Sequence, residues 1–340
     1  MPPLDVRTEL HLPNMQGRRR PPLLTIGMAV HDDYAGVAFT IMNILLNHAE
    51  SLPDIEFLLV DNNPGTGESN DAKKFMLSKI PNGRYTAISP YTGSFVKNQV
   101  IQAANTEYVL CIDSHVMLAA GSIRKLIAFL RAVGITNDLF HGPILTERGT
   151  IHATHMNPGF SGGNFGRWGT YQGDEMKNPD IYQVPLHGMG LFLTRRDTWP
   201  GFHTAMHQFG SEEGYIHEKF RLLGRDCWSL PFLGWWHLFR NESRNISYPL
   251  SNPHKYRNSL IAWTEINLPL DFVDKCFETI LSPEQRSAIK MQVASLGIVP
   301  MARDKFKPAF LGYPLRILDA PVSQSEYYTE FEKPIFYNRA

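Results

Sequence analysis

Short apolar runs alternate with helical patterns over the first third of the chain, and this alternation restricts the fold more than any other feature. Residues 23–30 (LLTIGMAV) and 55–60 (IEFLLV) have the composition of buried strands. Residues 37–50 carry apolar side chains at helical spacing, and residues 71–78 and 95–104 also favour helices. A β-α-β-α-β series of this kind predicts a parallel sheet covered by helices.

The next apolar run ends in two side chains of metal-binding type. Residues 108–112 (YVLCI) are followed directly by Asp113, Ser114 and His115. Ligands of open α/β sheets bind beyond the carboxyl ends of the strands, and residues i and i+2 of an extended segment point to the same side. Asp113 and His115 can therefore reach one ion together. On spacing alone, the alternative is a surface aspartate beside an unrelated histidine.

Composition and missing motifs exclude several classes of function. Lys+Arg and Asp+Glu are balanced at 33 each, so no overall basic field attracts nucleic acid. No G-x-G-x-x-G follows the first strand and no G-x-x-x-x-G-K-[ST] occurs, which disfavours a nicotinamide dinucleotide fold and a P-loop enzyme. Cys111, Cys227 and Cys276 are far apart and show neither a disulfide framework nor metal-type spacing.

The sequence also carries expectations about location. Residues 1–22 are rich in Pro and Arg without periodicity, so we expect an extended leader rather than a signal peptide. No apolar run reaches the roughly 18 residues that a membrane-spanning helix needs. Unclustered cysteines suit a reducing compartment. These features predict a cytoplasmic protein without a membrane anchor, as a bacterial or viral enzyme would be.

Four segments, taken in order, resemble the catalytic domain of the polypeptide N-acetylgalactosaminyltransferases. Residues 25–33 (TIGMAVHDD) and 59–63 (LVDNN) resemble the first two nucleotide-binding strands of such enzymes. The second segment, Asp113-Ser114-His115, resembles the D-x-H metal motif. Any one of these motifs is weakly specific, whereas the ordered set is specific.

The third and fourth segments extend this resemblance. The third comprises Gly188-Met189-Gly190-Leu191-Phe192, residues 196–197 (RD) and residues 209–213 (FGSEE), and it resembles the G-G-L-F…R-D and W-G-G-E-N stretches. The fourth comprises residues 237–240 (HLFR), 248–249 (YP) and 257–263 (RNSLIAW), and it resembles H-V-F-R, the P-Y loop and the R-N-T-L…W helix. Ser211 departs from the family by replacing a glycine, and Glu213 by replacing an asparagine or aspartate.

The resemblance implies an α/β protein with the GT-A fold, a Rossmann-like mixed sheet flanked by helices. The glycosyltransferase domain then spans residues 23–267, with a nucleotide-binding half over 23–120 and a sugar and acceptor half over 121–267. Residues 268–340 are expected to form a C-terminal extension that packs on the catalytic domain.

The implied activity is transfer of a sugar from a UDP-sugar to a hydroxyl group, with a divalent metal as cofactor. The sugar is a hexose or an N-acetylhexosamine, and the acceptor is a protein Ser/Thr, a glycan or a hydroxylated DNA base. Asp113, His115 and His237 would bind the metal, and one carboxylate with two imidazoles suits Mn²⁺, with Mg²⁺ as the alternative. His237 has a second interpretation, as a polar residue at the end of an aromatic core strand.

The resemblance also assigns the donor and acceptor contacts. Nucleotide contacts are expected from Ala29, Val30, His31, Asp61, Lys97, Ser114 and Arg240. Sugar or acceptor contacts are expected from Gly188, Met189, Gly190 and Tyr248. Asp61 has a turn-forming alternative, since it follows a strand and precedes Asn-Asn-Pro-Gly. For Lys97 and Arg240, the alternative to a nucleotide contact is an ion pair on the protein surface.

Two adjacent carboxylates are the expected catalytic residues. Glu212 would face the sugar or acceptor, although an acid is also favoured at a helix N-terminus. Glu213 stands where inverting relatives of the fold carry a base, and an inverting enzyme needs one. The D-x-H and HLFR elements match the retaining branch, so retention is expected and inversion with Glu213 as base is the alternative. A non-catalytic sugar-nucleotide or glycan-binding protein and a metal-dependent nucleotidyltransferase are the other classes.

Overall fold

The computed structural model describes residues 21–89, 93–171, 180–238, 250–304 and 306–317. Its strands, in chain order, are β1 (Leu24–Val30), β2 (Ile55–Asp61), β3 (Gly83–Ala87), β4 (Tyr108–Asp113), β5 (Val116–Leu118), β6 (Leu139–His141), β7 (Ile144–Leu145), β8 (Ile151–Ala153), β9 (His155–Ser161), β10 (Asn164–Gly169), β11 (Tyr182–Gln183), β12 (Leu191–Arg195), β13 (Cys227–Ser229), β14 (Trp235–His237) and β15 (Arg316–Ile317). Its α-helices are α1 (Tyr34–Asn47), α2 (Gly67–Lys79), α3 (Lys97–Ala103), α4 (Ser122–Val133), α5 (Glu212–Leu222), α6 (Asn252–Glu265), α7 (Asp271–Phe277) and α8 (Pro283–Ala294).

A mixed sheet organises the described residues, with the eight strands in the order β11-β13-β6-β12-β4-β1-β2-β3. The pairs β1–β2, β1–β4 and β2–β3 are parallel, which confirms the β-α-β-α-β beginning predicted from the apolar runs. Strand β12 lies antiparallel between β4 and β6 and makes the sheet mixed. The carboxyl ends of β1, β2 and β4 therefore meet at one edge.

Alternation along the central strands separates two apolar cores. In β4, Leu110 and Ile112 pack in the core that contains apolar residues of α1 and α4. Val109 and Cys111 point to the opposite face and pack in the core that contains Val100 of α3. Strand β4 is thus buried on both faces, as expected for a central strand of a sheet between helical layers.

A small second sheet places His237 beside the metal motif. It has four strands within the described residues, in the order β5-β14-β7-β8. Strand β14 is antiparallel to β5, and His237 pairs with Val116. Because Val116 directly follows His115, this register brings two histidines that are distant in sequence into one corner.

The Gly and Asn content of residues 160–166 predicts a loop, but these residues form a β-hairpin, so that prediction is wrong. Ser161 at the end of β9 pairs with Asn164 at the start of β10. Gly162 and Gly163 have φ values of 54° and 76°, which fit the two central positions of a tight hairpin turn. The strands persist on both sides of the glycines because the flanking side chains, Phe160 and Phe165, are buried.

Two helices begin earlier in the chain than their apolar periodicity predicts, because capping residues precede the apolar positions. Helix α1 begins at Tyr34 rather than near residue 37, with Asp33 as the N-cap. Helix α2 begins at Gly67 rather than near residue 71, because Thr66 accepts from the Ser69 N–H. Residues 282–285 (SPEQ) have the sequence pattern of a capping box, and this capping box is present at the start of α8.

The chain beyond residue 268 packs against the body where it is described. Phe310 lies 1 % exposed between Phe165 and Trp263, with ring centroids 5.4 and 6.4 Å away. The buried carboxylate of Glu218 accepts from the Phe310 N–H at 2.8 Å and pairs with Arg303 at 3.0 Å. The expected leader, apart from residues 21–22, and the tail from residue 318 lie outside the described residues.

Cys111, Cys227 and Cys276 are buried free thiols. Across the described ranges, no helix combines the length and the apolar character needed to cross a membrane.

Candidate active site

A cleft of about 420 Å³ opens at the carboxyl edge of the central sheet. Many of the residues predicted from the sequence line it: Ala29, Val30, His31, Lys97, Asp113, Ser114, His115, Gly188, Met189, Gly190, Glu212, Glu213 and His237. Arg240 and Tyr248 lie outside the described residues. The sheet topology therefore collects residues from five separate strands and helices at one place.

Asp113, His115 and His237 form a cluster that has the geometry of a metal site. One ligand atom from each residue lies within 4.8 Å of the others. The His237 Nε2 is 3.5 Å from one carboxylate oxygen of Asp113, and the two imidazole rings are 4.8 Å apart. Within the described residues, these three are the His, Cys, Asp or Glu side chains that lie close enough together to hold a metal ion as a group.

Lys97 balances the charge of Asp113 from the other side. Its ammonium lies 3.0 Å from the second Asp113 oxygen and donates to the Met189 carbonyl at 2.6 Å. Burial alone would raise the pKa of Asp113, but the Lys97 charge and the bond from His237 outweigh it and hold that pKa well below its usual range. Asp113 is thus ionised throughout the neutral range and ready to bind a cation.

The backbone around Gly188 and Gly190 forms a closely packed cleft wall. A Cβ at Gly188 would lie 2.5 Å from the indole of Trp168, and one at Gly190 would lie 3.1 Å from Asp113 Oδ2. The Gly190 carbonyl also accepts from the Asp113 N–H at 2.9 Å. A side chain at position 188 would clash with the indole, and one at position 190 would press against Asp113, so the two glycines allow this wall to pack directly against the aspartate.

Glu212 and Glu213 enter the cleft from the start of α5. Glu212 is 2 % exposed and accepts from the Gly210 N–H at 2.8 Å. Burial raises the pKa of Glu212, and burial together with the Glu212 charge raises the pKa of Glu213 well above its usual range. Two carboxyls so close in a buried site cannot both ionise easily.

The turn before α5 explains how the chain tolerates Ser211 where the resembled family has glycine. Ser211 has a φ of 68°, a left-handed conformation that glycine adopts at lower cost. Its hydroxyl lies 2.5 Å from that of Ser259 in α6. This buried contact holds the serine in place and fixes the direction in which Glu212 leaves the turn.

Asp61, which is predicted to contact the base, is not among the residues that line the cleft. Its carboxylate is fully buried and accepts from the hydroxyls of Ser69 and Tyr85 at 2.5 and 2.7 Å and from the Asn63 N–H at 2.9 Å. These are the contacts of the turn-forming alternative. Asn62, the next residue, lines the cleft instead, and its buried Oδ1 has no hydrogen-bond partner among the described residues.

Sequence reasoning missed other cleft residues. The N-cap Asp33 contacts His115, and Trp168, Met156 and Phe209 line the cleft. Asp33 carried a usable signal, since an acid before a helix is a frequent N-cap. Trp168 carried none, because residues 138–183 are mixed in composition and rich in Gly, Asn and His, without a clear period.

The fold is similar to that of solved glycosyltransferases. The structure of GalNAc-T7 with UDP, GalNAc and Mn²⁺ matches with a TM-score of 0.59 and 13% identity over 82% of this chain and 55% of that chain. The mannosyltransferase PcManGT from Pyrobaculum calidifontis, with GDP-Man and Mn²⁺, matches with a TM-score of 0.47 and 13% identity over 82% of this chain and 81% of that chain. S. aureus TarS 1-349, with UDP-GlcNAc, matches with a TM-score of 0.47 and 12% identity over 80% of each chain.

The chain spans about half the length of the GalNAc-T7 structure, at 55%. No protein-family model and no curated protein sequence matches it. The similarity to GalNAc-T7, together with the mixed sheet, shows that this chain has the GT-A glycosyltransferase fold.

Proposed function

We propose that this protein transfers a sugar from a UDP-sugar to an acceptor hydroxyl in a reaction that requires a divalent metal ion. The observation that carries this proposal is the meeting of Asp113, His115 and His237 within 4.8 Å beside a cleft of about 420 Å³. Pockets of roughly 300–1,000 Å³ suit small ligands and cofactors. The GT-A fold, which binds nucleotide-sugars in other proteins, supports the same activity.

The residues present fit a divalent cation. One carboxylate oxygen and two imidazole nitrogens form a mixed donor set that suits Mn²⁺ and accepts Mg²⁺ less readily. When bound, the cation would neutralise charge on the diphosphate leaving group. Lys97, whose ammonium lies 3.0 Å from Asp113, adds a second positive charge at the same end of the cleft.

The remaining residues position the substrates. The Gly188–Gly190 wall brings backbone groups close to a bound sugar, as expected for a site where side chains would obstruct access. Ala29, Val30 and His31 line the cleft at the end of β1, where the nucleotide is expected, and Asn62 offers an amide there. Arg240 and Tyr248 complete the proposed set from the resembled motifs.

Retention is the outcome that the resembled motifs favour, because Asp113-Ser114-His115 and residues 237–240 (HLFR) match the retaining branch. A retaining transfer needs no general base from the protein, because the acceptor proton can pass to the leaving phosphate. Burial and the Glu212 charge raise the pKa of Glu213 well above its usual range. Inversion with Glu213 as the base is the second candidate, because this residue does line the cleft.

The decisive experiment supplies Mn²⁺ and a panel of nucleotide-sugars without an acceptor, and measures the released nucleoside diphosphate. We expect slow hydrolysis of one UDP-sugar, abolished by EDTA and restored by Mn²⁺. The donor so identified, labelled in the sugar, is then offered to serine- and threonine-containing peptides, glycans and hydroxymethylated DNA.

Two outcomes would contradict the proposal. Release of pyrophosphate instead of a nucleoside diphosphate would identify a nucleotidyltransferase. Absence of turnover with every acceptor, accompanied by tight UDP binding, would identify a binding protein.

A further inference from the structure

We propose that Asp33 is a positioning residue of the metal site, which holds the His115 ring so that its Nε2 atom faces the cation. This inference rests on the proposed function, because it requires that Asp113, His115 and His237 bind a metal. Asp33 is not a ligand itself. It is the N-cap residue of α1, and its carboxylate contacts the Nδ1 atom of His115.

The ring nitrogen that Asp33 contacts determines the tautomer of His115. Asp33 Oδ2 lies 3.0 Å from His115 Nδ1. An ionised carboxylate only accepts hydrogen bonds, so Nδ1 must carry the hydrogen and donate it. Nε2 is then unprotonated, with its lone pair available to a metal. Ligating histidines commonly donate their other N–H to a carboxylate in this way.

Further hydrogen bonds hold the Asp33 carboxylate in position. The Ser114 hydroxyl donates to Oδ2 at 2.6 Å, and the Gly36 N–H donates to Oδ1 at 3.2 Å. A Cβ at Gly36 would lie 2.3 Å from Asp33 Oδ2 and 2.7 Å from the Ser114 carbonyl oxygen. Glycine in the first turn of α1 therefore allows the helix cap and the metal motif to approach each other.

The same face of α1 holds the backbone that follows the motif. The Thr40 hydroxyl donates to the Ser114 carbonyl at 2.9 Å and accepts from the Val116 N–H at 2.9 Å. The Asn43 side chain accepts from the Leu118 N–H at 3.1 Å. Positions 33, 36, 40 and 43 recur at helical spacing, so the polar side chains of Asp33, Thr40 and Asn43 lie on one side of α1 and hold residues 114–118 in place.

Asp33→Asn tests this role without removing the helix cap, because asparagine is also a good N-cap residue. The neutral amide no longer favours the Nδ1–H tautomer by charge. We expect the affinity of the full-length protein for Mn²⁺, measured by electron paramagnetic resonance, to fall about 10- to 100-fold.

The ¹⁵N NMR spectrum of His115 in the metal-free protein gives a readout that a purely structural role would not change. We expect the Nδ1–H tautomer in the wild type and a larger share of Nε2–H in the variant. Retention of the wild-type tautomer in D33N would overturn the inference.

Asp32→Asn is the matched control. The Asp32 carboxylate accepts from Asn63 at 2.7 Å and from Thr66 at 2.6 Å, so we expect Mn²⁺ affinity to stay near that of the wild type. Asp113→Ala separates the two levels of the hypothesis. If Asp113→Ala loses Mn²⁺ binding while D33N binds as the wild type does, the positioning role is wrong. If Asp113→Ala binds Mn²⁺ normally, the metal site and the proposed function fall with it.

Discussion

The ammonium of Lys97 lies 3.0 Å from one carboxylate oxygen of Asp113, while the other oxygen faces His237. The lysine side chain is 8% exposed and the aspartate 28%. Burial by itself lowers the pKa of Lys97, but the Asp113 charge more than compensates and raises it above the usual value. The two residues thus form a charged pair at the cleft floor, and a cation bound by Asp113 would meet a positive charge already in place.

Replacing Lys97 with methionine leaves the Asp113 charge uncompensated. We expect Lys97→Met to lower the free energy of unfolding in EDTA by about 2 kcal/mol, since one partner of a largely buried pair is removed. Mn²⁺ should raise the Tm of the variant more than that of the wild type, because the cation supplies the missing positive charge. Thermal unfolding with and without Mn²⁺ measures both effects.

Lys125→Met, on the exposed side of α4, is the control for loss of a lysine charge. Equal Mn²⁺ increments for Lys97→Met and the wild type would contradict the proposed charge compensation.

Glu213→Gln distinguishes retention from inversion. If no base is needed, the amide keeps the shape of the side chain and kcat should fall less than about tenfold, whereas loss of a general base costs about 10²–10⁴-fold. The anomeric configuration of the product, read by ¹H NMR, must agree with the kinetic result. Glu107→Gln, which removes the partner of Arg195 at the opposite end of the central strands, controls for loss of an acid elsewhere. An inverted product together with a collapse of kcat would establish Glu213 as the base.

Gly93→Ala should destabilise the cleft edge. Gly93 has a φ of 68°, and an added Cβ would lie 1.9 Å from the backbone oxygen of Gln208. Strain and overpacking together should cost more than about 2 kcal/mol. Gly67→Ala is the matched control, because nothing lies within 4 Å of that position at the start of α2, and alanine there should stabilise by up to about 1 kcal/mol. Urea unfolding compares the two, and equal stabilities would refute the steric argument.

Acid should destabilise the protein through its buried histidines. Burial lowers the pKa of His187 to about 4 and that of His155 to about 3. The unfolded imidazoles take up protons below about pH 6.5 while the folded ones stay neutral, so the unfolded state binds more protons and stability falls as the pH drops from about 6.5 to 4. The loss from His187 alone is about 3 kcal/mol.

Denaturant unfolding across this pH range measures the slope. His155→Gln should flatten it, whereas His152→Gln, at an exposed position of β8, should leave it unchanged. A wild-type stability that is constant between pH 6.5 and 4 would contradict the prediction.

The central strands could be predicted from the sequence because their signal is local. Residues 55–60 and 108–112 are continuous apolar runs, and strands buried on both faces are the structures that accommodate such runs. Asp113 and His115 were found for the same reason, since residues two apart on an extended segment share a side. His237 could be assigned only through its resemblance to a known motif, because the pairing of β14 with β5 is not visible in the sequence.

The structure differs from the sequence prediction where contacts with residues distant in sequence outweigh the local conformational preference. The Gly and Asn content of residues 160–166 predicted a loop, but the burial of Phe160 and Phe165 maintained two strands around a two-residue turn. Asp61 is predicted from its position after β2 to contact the base. Its carboxylate instead accepts hydrogen bonds from Ser69 and Tyr85, and the next residue, Asn62, lines the cleft.

The sequence by itself determined the alternating strands and helices of the parallel part of the sheet, the placement of Asp113 and His115 at the end of β4, and the GT-A resemblance. Only the tertiary structure decided which side chains fix that pair in place. Asp33 reaches His115 across 82 residues of sequence because α1 lies along the turn of the metal motif. Such contacts depend on how whole helices and strands pack against one another. Packing is driven by the burial of apolar faces, so it constrains the residue types only on the faces that meet.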